Sequence, residues 1–227
     1  LMKEVFTHIF NSNSWNGEES RSGTGSSLEN TQKLLKLLED LFSQLNAKKI
    51  LDIPCGDFNW MQHFPFKKDM EYLGVDIVED IIENNVNFYG KSSHNLNFKV
   101  GDINTDLFPY ADVIMVRDCL VHFKFNDIYQ TLQNLKKQDY KYVLLTSFTQ
   151  RPNNFNLTHV GEWRPLNLEI SPFNFPKPLK ILNEECHEEN DAYIDKSLCL
   201  WSKEQLDNIP HELGTLDYNS VNFKVDY

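Results

Sequence analysis

Apolar residues at helical spacing define the first long element of the chain. Leucine and phenylalanine recur every three or four positions through residues 28–45, which predicts an amphipathic α-helix. Ser26 or Ser27 is a suitable N-cap for this helix, and Asn46 is a suitable stop. The first long element of the chain is therefore a helix that buries one face.

Beyond position 48, short apolar runs alternate with stretches of helical periodicity. The runs predict β-strands at residues 49–53, 72–76, 97–100, 113–116 and 142–146. The stretches between them predict helices at residues 60–64, 78–89 and 126–138. Strands joined by helical crossovers indicate an α/β protein with a doubly wound, mostly parallel sheet. Nearly continuous apolar strands agree with burial on both faces of that sheet.

The two ends of the chain differ from this central part. The first 27 residues are rich in Ser, Gly and Asn, which predicts irregular structure, or one short helix at residues 4–10 followed by a loop. Residues 150–180 carry many prolines and fit no regular element, so we expect a functional loop or a lid. An antiparallel hairpin could follow, with arms at residues 179–183 and 198–201. The acidic residues between the arms predict a solvated turn: Glu184, Glu185, Glu188, Glu189 and Asp191.

Charge and composition exclude several classes of protein. The formal net charge of -11 argues against a general affinity for nucleic-acid phosphates. No apolar run approaches the roughly 20 residues that cross a bilayer, and the N-terminus lacks the pattern of a secretory signal. We expect a cytoplasmic protein whose cysteines are free thiols rather than disulfides or zinc ligands. The oligomeric state stays open.

In a doubly wound sheet, ligands bind beyond the carboxyl ends of the strands, so the residues that follow each strand are the candidates. The first strand leads into Asp52-Ile53-Pro54-Cys55-Gly56-Asp57. A dinucleotide-binding turn needs G-x-G-x-x-G at this place, and only Gly56 is present. The carboxylates of Asp52 and Asp57 would repel a pyrophosphate but could pair with an ammonium group. The alternative is an ordinary strand-to-helix turn.

Further polar residues follow the next three strands. Asp76 could accept hydrogen bonds from both hydroxyls of a ribose. Asp102 could accept from an adenine amino group while Ile103 packs on the ring, or it could cap a turn. Asp118 and His122 are four residues apart and would share one face of a helical turn. Either could be a general base, and the alternatives are a capping Asp and a hydrogen-bonded, buried His.

These motifs, in this order between Lys48 and Phe148, resemble those of class I S-adenosylmethionine-dependent methyltransferases. The resemblance implies a Rossmann-like methyltransferase fold, with S-adenosyl-L-methionine as cofactor and S-adenosyl-L-homocysteine as product. It implies the 52–57 run around the methionine moiety, Asp76 on the ribose and Arg117 near the sulfonium. Two loop glycines that are usual in the family are Pro54 and Phe58 here. The expected cofactor-binding residues are Arg21, Asp52, Pro54, Cys55, Gly56, Asp57, Trp60, Asp76, Ile77, Asp102, Ile103 and Arg117.

A narrower resemblance covers almost the whole chain. It depends on Trp15 and on the segments 22–26, 51–61, 117–122 and 161–168. Together they are similar to bacterial methyltransferases encoded in clusters for capsular and surface polysaccharides, some of them associated with O-methyl phosphoramidate decoration. This resemblance implies a small-molecule acceptor, or one linked to a sugar or a nucleotide.

The placement of arginine favours an anionic or polyhydroxyl substrate. The chain's arginines all lie in the loops that carry the motifs: Arg21, Arg117, Arg151 and Arg164. The planar guanidinium suits phosphate and carboxylate groups better than the lysine ammonium does, although chance and structural ion pairing are the alternative. We expect Arg151 and Arg164 to bind the substrate, and Trp15 and Trp163 to form walls of its cavity.

The sequence thus predicts methyl transfer from S-adenosylmethionine to an oxygen of a small molecule or of a saccharide or phosphoramidate intermediate in capsule biosynthesis. Asp118 and His122 are the catalytic candidates, and Arg21 or Ser22 could meet the cofactor's carboxylate when the N-terminal segment folds over it. Scattered His and Asp residues show no metal-ligand spacing. An Asn/Asp-Pro-Pro-Tyr run is absent, so DNA-amine methylation has no support. The alternatives are a nicotinamide-dependent oxidoreductase and a non-catalytic module that binds a nucleotide or a partner protein.

The length of 227 residues fits a single domain of this kind. We expect four parts: an N-terminal lid or substrate segment, a cofactor-binding core, a substrate loop, and a C-terminal hairpin with a tail. Their boundaries are residues 1–27, 28–148, 149–180 and 181–227.

Overall fold

A computed structural model describes residues 1–90 and 95–210 of the chain. Its strands are β1 (Lys49–Asp52), β2 (Glu71–Asp76), β3 (Leu96–Val100), β4 (Ala111–Val116), β5 (Tyr140–Phe148), β6 (Lys180–Asn183) and β7 (Lys196–Ser202). They form one seven-stranded sheet in the order β3-β2-β1-β4-β5-β7-β6. The first five strands pair in parallel, whereas β7 is antiparallel to both of its neighbours. The predicted α/β class, with a mostly parallel sheet and an antiparallel C-terminal hairpin, is confirmed.

The helices lie largely where periodicity predicts them. They are α1 (Met2–Ser12), α2 (Leu28–Gln44), α3 (Glu79–Phe88), α4 (Phe125–Lys137), a single irregular turn α5 (Glu188–Asp191) and α6 (Lys203–Asp207). Helix α2 begins at the predicted cap, since the Ser27 side chain accepts a hydrogen bond from the Asn30 amide at 3.3 Å. It ends before Asn46, which adopts the left-handed conformation with φ of 48°. The short α6 is an element that the sequence did not indicate.

The helix predicted at residues 60–64 is wrong. The segment forms only one 3-10 turn, Met61–His63, after which Phe64 is extended. Pro65 follows Phe64, and a proline disfavours the helical conformation of the residue before it. The turn packs Trp60, Met61 and Phe64 into the hydrophobic core instead of presenting one helical face.

Alternate residues of the central strands enter two hydrophobic cores on opposite faces of the sheet. In β4, Val113 and Met115 pack with α2 and the turn after β1, while Ile114 and Val116 pack with α4 and α6. Every residue of β4 is buried. This strand lies at the centre of the sheet, between β1 and β5, so its carboxyl end lies at the middle of the sheet edge.

The irregular segment after β5 has no strand or helix before β6, as predicted. Four of its apolar residues are nevertheless buried in the core beside α4: Leu166, Leu168, Phe173 and Phe175. Its inner half is therefore part of the folded core, and a lid could be formed only by its outer residues. The expected C-terminal tail from residue 211 onward lies outside the described residues.

No helix in the described ranges, 1–90 and 95–210, has the length and apolarity that crossing a membrane requires. The cysteines Cys55, Cys119, Cys186 and Cys199 are all buried free thiols.

Candidate active site

A cavity opens at the carboxyl ends of β1, β2, β3 and β4, which is where ligands bind in a doubly wound sheet. It is called the first cavity below. Its lining includes every residue that the sequence suggested for cofactor binding: Arg21, Asp52, Pro54, Cys55, Gly56, Asp57, Trp60, Asp76, Ile77, Asp102, Ile103 and Arg117. The catalytic candidates Asp118 and His122 line it as well, together with Trp15. The fold thus brings these residues together, and their roles toward a ligand stay predictions.

The turn after β1 is fastened by Asp76. One carboxylate oxygen of Asp76 accepts the Gly56 amide at 3.1 Å, and the other accepts the Val78 amide at 3.0 Å. Gly56 has φ of 55°, and a Cβ at this position would lie 2.4 Å from the Ser22 hydroxyl oxygen. The single glycine of the turn is therefore required both by its backbone conformation and by the close approach of the N-terminal segment.

Asp57 attaches the N-terminal segment to this turn. Its carboxylate oxygens each accept the Ser20 hydroxyl at 2.9 Å, and one accepts the Arg21 amide at 3.0 Å. The Arg21 guanidinium lies over the Phe10 ring. The prediction that the polar N-terminal segment folds over the cavity agrees with these contacts. The sequence did not indicate that the Asp57 carboxylate would be occupied by this segment rather than open to a ligand's ammonium group.

Buried carboxylates form the deep part of the first cavity. Asp52 accepts a hydrogen bond from the Tyr72 hydroxyl at 2.6 Å, yet burial raises its pKa to about 7. Burial also raises the pKa of Asp76 to about 6, against the opposing effect of its backbone hydrogen bonds. Neither residue forms an ion pair with another described residue. These carboxylates favour a ligand that brings hydrogen-bond donors or positive charge.

The buried state of Asp52 predicts a pH-dependent stability. Because its pKa is raised to about 7 from about 3.9 in an unfolded chain, the folded chain binds a proton between these values that the unfolded chain does not. The stability that Asp52 contributes is full below about pH 4 and is lost as the pH rises through 7. At pH 8 we expect the free energy of unfolding of Asp52→Asn to be higher than that of the native chain by roughly 1–3 kcal/mol, because asparagine carries no charge to bury. Urea unfolding at pH 5, 6.5 and 8 measures the difference.

Asp69→Asn is the matched control, because Asp69 is exposed and pairs with Lys48 at 2.8 Å. We expect its effect to stay within about 1 kcal/mol, with no gain at high pH. A difference between Asp52→Asn and the native chain that is the same at pH 5 and pH 8 would contradict the assignment.

Arg117 belongs to a group of four charges in which Arg117, Glu184 and Lys196 are buried and Asp118 is partly exposed. Arg117 pairs with Glu184 through two hydrogen bonds of 3.1 and 2.7 Å, donates to the Gly25 carbonyl at 2.8 Å, and lies over the Trp60 ring. The prediction that Glu184 belongs to a solvated turn is wrong, since its side chain is only 2% exposed. The guanidinium of Arg117 is thus committed to Glu184 and to the N-terminal segment.

The geometry of Asp118 argues against its role as a base. Its carboxylate lies 2.7 Å from the Lys196 ammonium and 3.3 Å from the Arg117 guanidinium. Although burial opposes the effect, these two cations lower the pKa of Asp118 to about 2. The residue has φ of 51°, and its amide donates to the Thr146 hydroxyl at 2.8 Å. A carboxylate held in this way orients neighbouring groups more readily than it accepts a proton.

His122 is held in one orientation as a neutral imidazole. It ends the 3-10 turn Leu120–His122, so Asp118 and His122 do not share the expected α-helical face, although both line the first cavity. The His122 Nδ1 atom lies 3.0 Å from the Glu162 carbonyl oxygen, and a carbonyl can only accept, so Nδ1 carries the hydrogen. The ring stacks on Trp15 at a centroid distance of 4.5 Å. Burial lowers the pKa of His122 to about 4, which leaves Nε2 unprotonated at neutral pH.

Two of the arginines that we expected to bind the substrate, Arg151 and Arg164, have partners within the chain. Arg164 is fully buried and donates to the backbone carbonyls of Leu120 and Phe123 at 2.9 and 2.8 Å. Arg151 pairs with Asp195 at 3.0 Å. Neither side chain lines a cavity at the sheet edge. Structural bonding of arginine, the alternative reading of the pattern, accounts for both residues.

A second cavity adjoins the first and shares Trp15, Ser22, Asp118 and His122 with it. Trp163 lines this second cavity and contacts Phe148 and Tyr193, and its role as a wall of the substrate cavity stays a prediction. Within residues 1–90 and 95–210, no group of three or more His, Cys, Asp or Glu side chains is arranged to hold a metal ion.

The fold that carries this site is similar to that of several solved structures. No family model and no curated protein sequence matches the chain. Among solved structures, magnesium protoporphyrin IX methyltransferase from Synechocystis PCC 6803, crystallised with S-adenosylhomocysteine, superposes with a TM-score of 0.60 at 12% identity, over 88% of this chain and 99% of that one. A proposed O-methyltransferase from Nostoc punctiforme PCC 73102 gives 0.53 at 14% identity, over 76% of this chain and 56% of that one. The chain has the methyltransferase Rossmann-like fold.

The methyltransferase domain of bacterial CtHen1 has a TM-score of 0.46 and 17% identity, over 52% of this chain and 66% of that one. The chain therefore spans less than two thirds of the length of the CtHen1 domain and of the Nostoc protein.

Several residues that line the site in this methyltransferase fold were not predicted from the sequence. Met2, Phe6 and Phe10 of α1 line the first cavity, and their regular spacing of four residues was a signal that could have found them. Glu184 and Lys196 carried no such signal. They join Arg117 and Asp118 only because β7 inserts beside β5.

Proposed function

We propose that this protein is an S-adenosylmethionine-dependent methyltransferase that acts on an oxygen of a small molecule or a saccharide intermediate. The observation that carries the proposal is the first cavity. There, Asp52 and Asp76 end two adjacent strands, Asp102 follows a third, and all three residues line one space. A ligand with an ammonium group, two vicinal hydroxyls and an amino-bearing base satisfies such a set of acceptors.

The residues present fit this cofactor. Asp76 would accept the ribose hydroxyls, since each of its oxygens binds one backbone amide and keeps a second lone pair. Asp102 and Ile103 would hold the adenine, and the turn after Asp52 would receive the methionine moiety. Asp102 also caps its own turn by accepting the Asn104 amide at 2.8 Å. When bound, S-adenosylmethionine supplies an electrophilic methyl group on a positively charged sulfur.

The residues of the chain would orient the acceptor and remove its proton. His122 is neutral, with Nδ1 donating to the Glu162 carbonyl, so its Nε2 lone pair would accept the proton of the acceptor hydroxyl during methyl transfer. Trp15 stacks on the imidazole and would stabilise the imidazolium through its ring face. The N-terminal segment, attached at Asp57, would exclude water from both cavities.

The two rival functions have less support. A nicotinamide-dependent enzyme needs a glycine-rich turn for the pyrophosphate, whereas the turn here has one glycine, which Ser22 contacts. The buried Asp52 and Asp76 would also oppose a diphosphate. A non-catalytic module would not require an imidazole with a fixed tautomer at the junction of two cavities.

The resemblance to methyltransferases of capsule and surface-polysaccharide clusters supports a biosynthetic role in the cytoplasm. This resemblance implies two kinds of acceptor, a saccharide intermediate and a phosphoramidate intermediate. A phosphoramidate is anionic and would need basic groups nearby. The commitment of Arg117, Arg151 and Arg164 to structural partners favours the saccharide.

Calorimetry with S-adenosylhomocysteine, S-adenosylmethionine and NAD tests the cofactor. We expect the two adenosyl compounds to bind in the micromolar range and NAD not to bind. Asp76→Asn should lower the affinity for S-adenosylhomocysteine by at least about tenfold, because each lost charge-assisted hydrogen bond is worth roughly 1.5–3 kcal/mol. Glu83→Gln on the exposed face of α3 is the matched control and should bind like the native chain.

Tighter binding of NAD than of S-adenosylhomocysteine would contradict the proposal. Binding of the cofactor without methyl transfer to any acceptor in a mass-spectrometric screen of sugars, sugar nucleotides and phosphoramidates would instead favour the non-catalytic module.

A further inference from the structure

We propose that the second cavity is the acceptor site and that it takes an uncharged, polyhydroxylated ring, such as a neutral sugar unit, in preference to anionic acceptors. The inference rests on the methyl-transfer function proposed above and specifies its substrate class. It depends on three features of the second cavity: its position, its charge and its aromatic surface.

The position of the second cavity suits an acceptor. Trp15, Ser22, Asp118 and His122 line both cavities, so a molecule in the second cavity would meet the first at the His122 imidazole. The deep carboxylates Asp52 and Asp76 line only the first cavity. The two spaces therefore differ in chemistry and meet at the group that would accept a proton.

The charges around the second cavity are unfavourable for an anion. Lys196 is the cationic side chain among the described residues that line it, and this ammonium lies 2.7 Å from Asp118 and 3.5 Å from Glu184. Arg117 balances the remaining carboxylate of that buried group. The positive charge of Lys196 is thus already compensated, and little of it is left to attract an incoming phosphate or carboxylate.

Two further carboxylates make the second cavity net acidic. Glu188 and Glu189 line it, and neither forms an ion pair within the described ranges 1–90 and 95–210. Of the two arginines beside the lining, Arg117 is paired with Glu184, and Arg151 lies over the rings of Phe148 and Tyr193 and is paired with Asp195. An anionic acceptor would therefore meet uncompensated negative charge.

The aromatic surface explains what the cavity would bind instead. Phe148, Trp163 and Tyr193 form a cluster with centroid distances of 4.9 to 6.1 Å, and Trp163 remains 40% exposed. Phe148 and Tyr193 support the indole of Trp163, whose exposed part offers an apolar surface to a ligand. Elsewhere in the lining, the Glu188 carboxylate and the Thr24 hydroxyl could accept hydrogen bonds from ligand hydroxyls. A planar phenol would use the rings but would desolvate the carboxylates without enough donors to satisfy them.

A matched pair of probes tests the charge preference. The full chain, saturated with S-adenosylhomocysteine, is titrated by calorimetry with methyl hexopyranosides of three ring configurations and with the corresponding methyl hexuronosides. Each pair differs only in a carboxylate. We expect at least one neutral glycoside to bind about tenfold or more tightly than its uronate.

Two variants identify the residues responsible. Glu188→Gln with Glu189→Gln should narrow the preference for the neutral sugar by about tenfold, because both charges are removed. Glu39→Gln with Asp40→Asn removes the same charge from the exposed face of α2 and should leave the preference unchanged. Trp163→Ala should lower the affinity for the neutral glycoside by about tenfold, because the contact between the indole and the sugar ring is lost.

Equal or tighter binding of the uronates would overturn the proposal. So would the failure of every neutral glycoside to bind up to its solubility limit. Because S-adenosylhomocysteine binding is measured first and separately, either result is distinguishable from a failure of the proposed methyltransferase function.

Discussion

His122→Asn is expected to lower kcat by about 10²–10³-fold, since loss of a positioned general base typically costs that much. The asparagine amide can still donate to the Glu162 carbonyl, as Nδ1 of His122 does at 3.0 Å, but it offers no lone pair in place of Nε2. We expect the affinity for S-adenosylhomocysteine to stay within about threefold of the native value. Single-turnover kinetics with an acceptor found by mass-spectrometric screening separates the chemical step from product release.

The pH profile adds an independent measure of the same role. Burial lowers the pKa of His122 to about 4, and the base is active when unprotonated, so kcat should be flat above about pH 6 and fall as the pH drops toward 4. His159→Asn is the matched control, because His159 is exposed and contacts the side chain of the same Glu162. A near-native kcat in His122→Asn would contradict the role of His122 as a base. It would indicate that the residue only orients the acceptor, which is expected when the acceptor oxygen has a low pKa.

Glu184→Ala is expected to destabilise the fold by about 3–5 kcal/mol, the usual cost of removing one partner from a buried group of charges. Glu184 is 2% exposed and accepts two hydrogen bonds from Arg117. Its loss would leave the buried group with more positive than negative charge, next to Lys196. Equilibrium unfolding in urea at pH 7.5 measures the change in free energy.

The adjacent residue provides a matched control for this effect. Glu185 is about half exposed and pairs with Lys33 at the surface, so Glu185→Ala should cost less than about 1 kcal/mol. The two variants remove the same side chain one position apart and differ mainly in burial. Equal effects of the two substitutions would refute the structural role of the buried charges.

The positions of the strands could be read from the sequence because they depend on local pattern. The strands predicted at 72–76 and 113–116 begin only one or two residues late compared with β2 and β4. The ends of these strands could be read as well, because parallel strands meet at one edge of the sheet. This rule is why Asp52, Asp76 and Asp102 were expected to lie together, and they do line one cavity.

The partners of the charged side chains could not be read in the same way. An acidic run between two predicted strands has the composition of a solvated turn, yet Glu184 is buried against Arg117, 67 positions away in the chain. Arg164 lies in a loop with candidate substrate residues, yet its guanidinium binds the carbonyls of the turn around His122. Composition reports where a charge lies along the chain and not what it faces.

The sequence alone was enough to predict the α/β class, the places of the main strands along the chain and the set of residues at their carboxyl ends, because apolar periodicity and parallel topology leave few other arrangements. The tertiary structure alone decided which of those residues remain available to a ligand. In the folded chain, internal partners pair with Arg117, Arg151 and Arg164, whereas His122 lies where two acidic cavities meet at the sheet edge. The physical reason is that burial and charge pairing depend on contacts between distant segments. Glu184 reaches Arg117 through the β6–β7 hairpin, and Arg164 reaches the Leu120 carbonyl from the loop after β5.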